Sequence, residues 1–119
     1  MDQRVRDVIQ VLQKDLGREI PVEELARLVN LSASHLRLLF RKETGVTPDR
    51  YLKSLRIEKA TELLENSFLS VKEIMLKVGV GDLSHFVRDF KTARGLTPRQ
   101  YRTHFKAGEV RGGGPGARP

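Results

Sequence analysis

Apolar residues recur at helical spacing almost from the first residue of the chain. Val5, Val8, Ile9, Leu12 and Leu16 predict a first helix, with Gly17 as its stop. Pro21 suits the first turn of a second, short helix with apolar positions Val22, Leu25, Ala26 and Leu28-Val29. A turn is expected at Asn30-Leu31. Ser32 is then a good N-cap for a third helix that turns Leu36, Leu39 and Phe40 to one side and ends at Gly45. Thr47-Pro48 opens a longer helix carrying Tyr51, Leu52, Leu55, Ala60, Leu63 and Leu64, and it can run to Asn66. At 1.5 Å per residue such a helix spans about 25 Å.

The pattern then repeats. Ser70-Val71-Lys72-Glu73 has capping-box spacing and starts a short helix with Ile74, Met75 and Val78. Gly79 permits a turn, Asp82 caps a helix with Phe86 and Phe90 inside, and Gly95 stops it. Thr97-Pro98-Arg99-Gln100 opens a last helix ending near Phe105 or Lys106. Ser34-His35-Leu36, Phe40-Arg41, Gly45-Val46-Thr47-Pro48 and Tyr51 return as Ser84-His85-Phe86, Phe90-Lys91, Gly95-Leu96-Thr97-Pro98 and Tyr101. Two copies are too few for a solenoid and indicate a duplicated binding module. No segment alternates like a strand, so the expected fold is all-α with about seven helices. The expected division is a first helix-turn-helix subdomain over 1–48, a linker helix over 49–66 and a second subdomain over 67–107. A Gly/Pro-rich tail over 108–119 lacks apolar periodicity and is expected to be disordered.

Composition narrows the partner. The chain of 119 residues has a formal net charge of +7 and an isoelectric point near 10.1, so a polyanion is the obvious ligand. With no Cys, disulfides, thiolate metal sites and Cys nucleophiles are excluded. That also removes the thiolate chemistry of alkyl-transfer DNA-repair proteins, and no enzyme activity is expected. No apolar run approaches the roughly 18 residues needed to span a membrane, and the charged N-terminus lacks a signal-peptide core. A cytoplasmic, nucleoid-associated protein is the expectation.

The inward residues fix which side chains face out. With Leu36, Leu39 and Phe40 buried, Ser34, Leu38 and Arg41 lie opposite, flanked by Arg37 and Lys42. With Phe86 and Phe90 buried, the outer face holds Ser84, Arg88 and Lys91, with Leu83 and Val87 at one edge. The N-terminal turns of such helices reach deepest into a major groove. Arg37 and Arg88 are therefore candidates for bidentate contact with guanine, and Ser34 and Ser84 can bond to any base. Leu38, Leu83 and Val87 can pack on thymine methyl groups. Arg41, Lys42, His85, Lys91 and Arg94 are expected to meet phosphates, which position a protein without reading sequence. An isolated exposed Arg is ordinarily only a solvated charge; the duplicated setting raises its weight here. His35 and His85 lie in different repeats and His104 stands alone, so neither a metal site nor a cofactor is expected.

These residues together resemble the DNA-binding domain of the AraC/XylS family of bacterial transcription regulators. The match runs from about Val5 to Arg102. It includes Glu24-Leu25-Ala26, Leu31-Ser32, Leu36 with Phe40, Gly45-x-Thr47-Pro48, Tyr51-Leu52, Arg56 with Ala60, and Leu63-Leu64. It continues through Val78-Gly79-Val80, Phe86 with Phe90, Gly95-x-Thr97-Pro98 and Tyr101-Arg102. The resemblance implies two homeodomain-like helix-turn-helix subdomains joined by a rigid linker helix, with recognition helices in successive major-groove segments of double-stranded promoter or operator DNA. It places base-reading residues at Ser34, Arg37, Leu38, Leu83, Ser84, Val87 and Arg88, in agreement with the helical wheel. It implies a regulator, by the family's habit an activator, with RNA polymerase as a further partner and a monomeric isolated domain. The alternative is an interaction module that has lost sequence-specific DNA binding. The chain is expected to be a short stand-alone member or, from its abrupt start, the C-terminal part of a longer regulator. Two departures stand out. Met75 occupies a position where the family has a small residue, and Val80-Gly81 replaces an aromatic-Ser pair. Altered packing and a looser second turn are the expected results.

Overall fold

The computed structural model describes residues 1–109. They form seven α-helices, and no strand occurs among them: α1 Gln3–Lys14, α2 Val22–Leu28, α3 Ala33–Thr44, α4 Pro48–Asn66, α5 Val71–Lys77, α6 Leu83–Arg94 and α7 Pro98–Lys106. The expected disorder of the tail concerns residues that, from 110 on, lie outside the described part. Gly108 and Glu109, the first residues of that tail, follow α7 and bond back to its last turn. Gly108 adopts φ +79°. Its N–H bonds to Phe105 and that of Glu109 to His104, a Schellman closure of the helix.

The chain divides into two compact units, Met1–Leu55 and Arg56 onward, with the boundary inside α4. The first unit buries Val5, Val8, Leu12, Ile20, Leu25, Ala26, Val29, Leu36, Phe40 and Leu52. Glu43, near the end of α3, accepts the backbone N–H of Asp2, which ties down the start of α1. The second unit buries Ile57, Ala60, Leu64, Ile74, Met75, Val78, Phe86, Phe90 and Tyr101. Leu55 and Leu63 pack against their respective cores while remaining partly exposed.

Local chemistry explains most helix ends. Ser32 accepts the N–H of His35 at 3.1 Å, and Asp82 accepts that of His85 at 2.9 Å. Capping boxes start α5 (Ser70 with Glu73) and α7 (Thr97 with Gln100). Gly45 and Gly95 close α3 and α6 at φ +86° and +83°. Two boundaries differ from the sequence reading. α1 stops at Lys14, short of Gly17, because the Asp15 carboxylate accepts the Gly17 N–H and turns the chain. Pro21 is the N-cap of α2 rather than a residue of its first turn.

The turn joining the two helices is built alike in both units. Leu31 N–H bonds to Ala26 and Asn30 N–H to Arg27; Val80 N–H bonds to Met75 and Gly79 N–H to Leu76. Each is a Schellman motif with one left-handed residue, Asn30 at φ +59° and Gly79 at φ +90°. The second turn is therefore closed by the same pair of bonds as the first, not looser. Gly81 is an additional, open residue placed after that closure. Met75 is accommodated as a buried core residue, 3% exposed.

The repeat extends to aromatic geometry. Phe40 and Tyr51 meet edge to face at 5.4 Å, and their counterparts Phe90 and Tyr101 do so at 5.7 Å. Each pair fixes the helix after Gly-x-Thr-Pro against the preceding outward helix.

Candidate nucleic-acid interface

α3 and α6 present the same exposed stripe. Ser34, Arg37, Leu38 and Arg41 on α3 correspond to Ser84, Val87, Arg88 and Lys91 on α6, each set at i, i+3, i+4 and i+7. All are exposed except Val87, which is half-buried. The inward residues of both helices, Leu36 with Phe40 and Phe86 with Phe90, are essentially fully buried, so the orientation of each stripe is set by its core. Leu38 is 71% exposed and Leu83 47%, positions that no internal packing explains. Lys42 is also exposed, and so is His85 at the start of α6.

The Asp82 cap bears on that end of the helix. Its carboxylate is held below the ordinary aspartate range, first by the N–H of His85, with smaller help from the nearby His85 and Arg88 side chains. The His85 imidazole lies 3.4 Å from it. The corresponding cap in the first unit, Ser32, carries no charge.

Arg94 departs from the expected phosphate-facing set. It is half-buried, and its Nε donates to Thr61 Oγ1 at 3.1 Å. Thr61 is fully buried in α4 and itself donates to the carbonyl of Ile57. Arg94 thus ties the end of α6 to α4 within the second unit. A wheel drawn on α6 alone has no means of showing this, because the partner is 33 residues away in sequence.

Arg102 has a comparable internal role that sequence reasoning left unassigned. Its guanidinium donates to the carbonyls of Leu63, Leu64, Ser67 and Leu69, the last at 2.6 Å. Leu63 and Leu64 lie in the last turn of α4, where carbonyls run short of helical partners, and Ser67 and Leu69 lie in the segment just after it. Next to Arg102, buried Tyr101 donates its hydroxyl to Glu65. The pair Tyr101-Arg102 therefore fastens α7 to α4.

A groove of about 590 Å³ runs along the N-terminal part of α6. Val71 and Lys72 of α5, Leu83 and Val87 of α6, and Pro98 and Arg99 of α7 line it. Lys72 and Arg99 were not among the sequence candidates; the signal for them lies in comparing charges between the repeats. Among the described residues, no group of three or more His, Asp or Glu side chains is placed to hold a metal ion.

A family model described as a helix-turn-helix domain matches residues 25–104. The HTH-type transcriptional activator RhaS of Klebsiella pneumoniae is 36% identical over 101 residues, 85% of this chain and 36% of that protein. The chain belongs to the AraC/XylS family. Among solved structures, a probable AraC family transcriptional regulator from Rhodopseudomonas palustris superposes with a TM-score of 0.79 at 26% identity, covering 87% of this chain and 97% of that one. The DNA-binding domain of the global transcriptional factor AdpA, solved in complex with a target DNA, superposes at 0.81 with 28% identity, covering 87% and 94%. The chain spans about a third of the length of RhaS and of the Msm operon regulatory protein of Streptococcus mutans, and 12% of the regulator YtdP of Bacillus subtilis. The AraC-type architecture accounts for the duplicated helix-turn-helix, the repeated Gly-x-Thr-Pro starts and the shared helix α4.

Proposed function

We propose that this chain is a sequence-specific DNA-binding domain of a transcription regulator. The observation that carries this reading is the matched exposed stripe on α3 and α6, held outward by two separately built cores. The solved AdpA domain of the same fold holds a target DNA, which supports it. Arg37 and Arg88 read guanines, Ser34 and Ser84 bond to base edges, and Leu38, Leu83 and Val87 pack on thymine methyls. Arg41, Lys42, His85 and Lys91 meet phosphates. Arg94, occupied by Thr61, leaves that set. The two helices enter successive major-groove segments, so a monomer reads an asymmetric site. The naming of RhaS as an activator supports activation, for which RNA polymerase is the partner we propose. A cytoplasmic location agrees with the absence, among the described residues, of any helix long and apolar enough to cross a membrane.

The test is selection of binding sites from random duplexes, followed by titration at several salt concentrations. Log K is expected to fall with log salt at about 0.9 per phosphate contact, for about four to seven contacts. Arg37→Ala and Arg88→Ala should each weaken the selected site by roughly 1–3 kcal/mol and relax one base position. Lys42→Ala and Lys91→Ala should weaken all duplexes alike. The exposure of Leu38 also suits a protein-binding surface. Salt-indifferent binding with no selected motif would favour that interaction-module reading.

A further inference from the structure

The two repeats are opposite in charge at the shoulders of their recognition helices. Aligning the repeats on their Schellman turns places Lys72 where the first unit has Glu23. Aligning them on Gly-x-Thr-Pro places Arg99 where the first unit has Asp49. All four side chains are exposed, and each lies in the first turn of its helix. Glu23 and Asp49 follow the local rule, since a carboxylate is favourable beside the positive end of a helix. Lys72 and Arg99 break it at both positions. Neither has an ion-pair partner among the described residues, although in α5 the Glu73 carboxylate of the capping box satisfies part of the same helix end. A position where the chain departs from local preference is where function is to be sought.

The groove supplies the setting. Lys72 from α5 and Arg99 from α7 line it together with Leu83 and Val87 of α6. Arg102 also lines it, but its guanidinium is bound to backbone carbonyls and is not available to a ligand. The groove is thus continuous with the residues assigned above to base reading, and its free charges are both positive. The occupant that fits both facts is the phosphodiester backbone of the duplex that α6 reads. In a helix-turn-helix docking the first helix of the motif, here α5 with Lys72, crosses the DNA backbone.

Resting on the DNA-reading assignment above, we propose that Lys72 and Arg99 clamp the DNA backbone beside α6, and that Glu23 and Asp49 withhold the same seat from the first unit. The second unit is then the electrostatic anchor. The first unit contributes base contacts with less phosphate neutralisation around them. Neither cation reads sequence; both position the second helix.

The experiment uses the full chain and a selected duplex, with salt titrations of wild type, Lys72→Ala/Arg99→Ala and Glu23→Lys/Asp49→Arg. In the alanine pair the log–log salt slope should shrink by about 1.8, two contacts at about 0.9 each. Affinity should drop for specific and nonspecific duplexes alike, with base preference at the second half-site unchanged. Ethylation interference should lose its signal at phosphates flanking that half-site only. The charge-reversed pair should steepen the slope and tighten binding to all duplexes. A wild type that binds steeply with salt, beside an alanine pair of the same slope and affinity, would overturn the clamp while leaving the DNA reading intact. An unchanged slope in the reversed pair would overturn the role given to Glu23 and Asp49. Binding without salt dependence in the wild type itself would instead remove the DNA reading on which the clamp rests.

Discussion

At the level of single residues, capping and turn chemistry were the most legible features. Ser32, Asp82, Gly45 and Gly95 act where the sequence placed them, because an N-cap needs only its own side chain and the next three residues, and a glycine stop only its freedom to take a left-handed φ. Asn30 is the left-handed residue of the first turn, the counterpart of Gly79, as a short polar side chain allows. Arg94 and Leu28 were less legible. Leu28 looks like a core residue of α2 but is 60% exposed, and Arg94 looks like a surface cation but bonds to buried Thr61. Both outcomes depend on which neighbours the fold brings close. Asp82 yields a test at this scale. Its folded-state pKa is lowered, so its cap stabilises the second unit above the ordinary aspartate range and is lost as pH falls through the lowered value. Thermal melts of Asp82→Asn, which keeps a capping oxygen without a titrating group, should therefore vary less with pH than wild type between neutral and strongly acidic conditions. Identical pH profiles would refute a contribution from this carboxylate.

Among the helices, α4 shows where periodicity stops being informative. Its limits, Pro48–Asn66, agree with the expected start at Thr47-Pro48 and the expected end at Asn66. Its single apolar stripe was not a valid expectation. Tyr51, Leu52 and Leu55 go to the first core, whereas Ile57, Ala60 and Leu64 go to the second. A helix that serves two cores has no one buried face, and a wheel that assumes one averages them away. Ile57, 5% exposed, was missed for this reason. Leu64 is fully buried, so Leu64→Ala should destabilise by about 2–5 kcal/mol. Leu63, only partly buried, should lose less on the same truncation. Chemical denaturation of the two variants would check the order, and a larger loss at Leu63 would contradict the packing described here.

For the whole chain, the doubling of the helix-turn-helix was legible because each copy repeats its turn, cap and aromatic residues at matching spacing. The charge of the chain was legible only in sum. Its 22 Lys and Arg residues include Arg102, bound to carbonyls, so the total overstates what a ligand meets. If the two reading helices act as one instrument through α4, their half-sites lie about one turn of DNA apart, near 10 base pairs. Inserting one to five base pairs between the half-sites should then weaken binding progressively, and flat affinity across that series would leave two independent binders.

The chain carries two methionines that differ as much as two residues of one type can. Met1 is 60% exposed, and Met75, at the Schellman turn of the second unit, is 3% exposed. Peroxide converts a thioether to a sulfoxide only when it reaches the sulfur. Met1 therefore reports the strength of the oxidant, and Met75 reports how often the second unit opens. Their ratio, read by mass spectrometry after timed oxidation, is a native clock for the breathing of that unit, with no label added. Duplex DNA bound along α6 should slow oxidation of Met75 relative to Met1, by as much as binding suppresses opening.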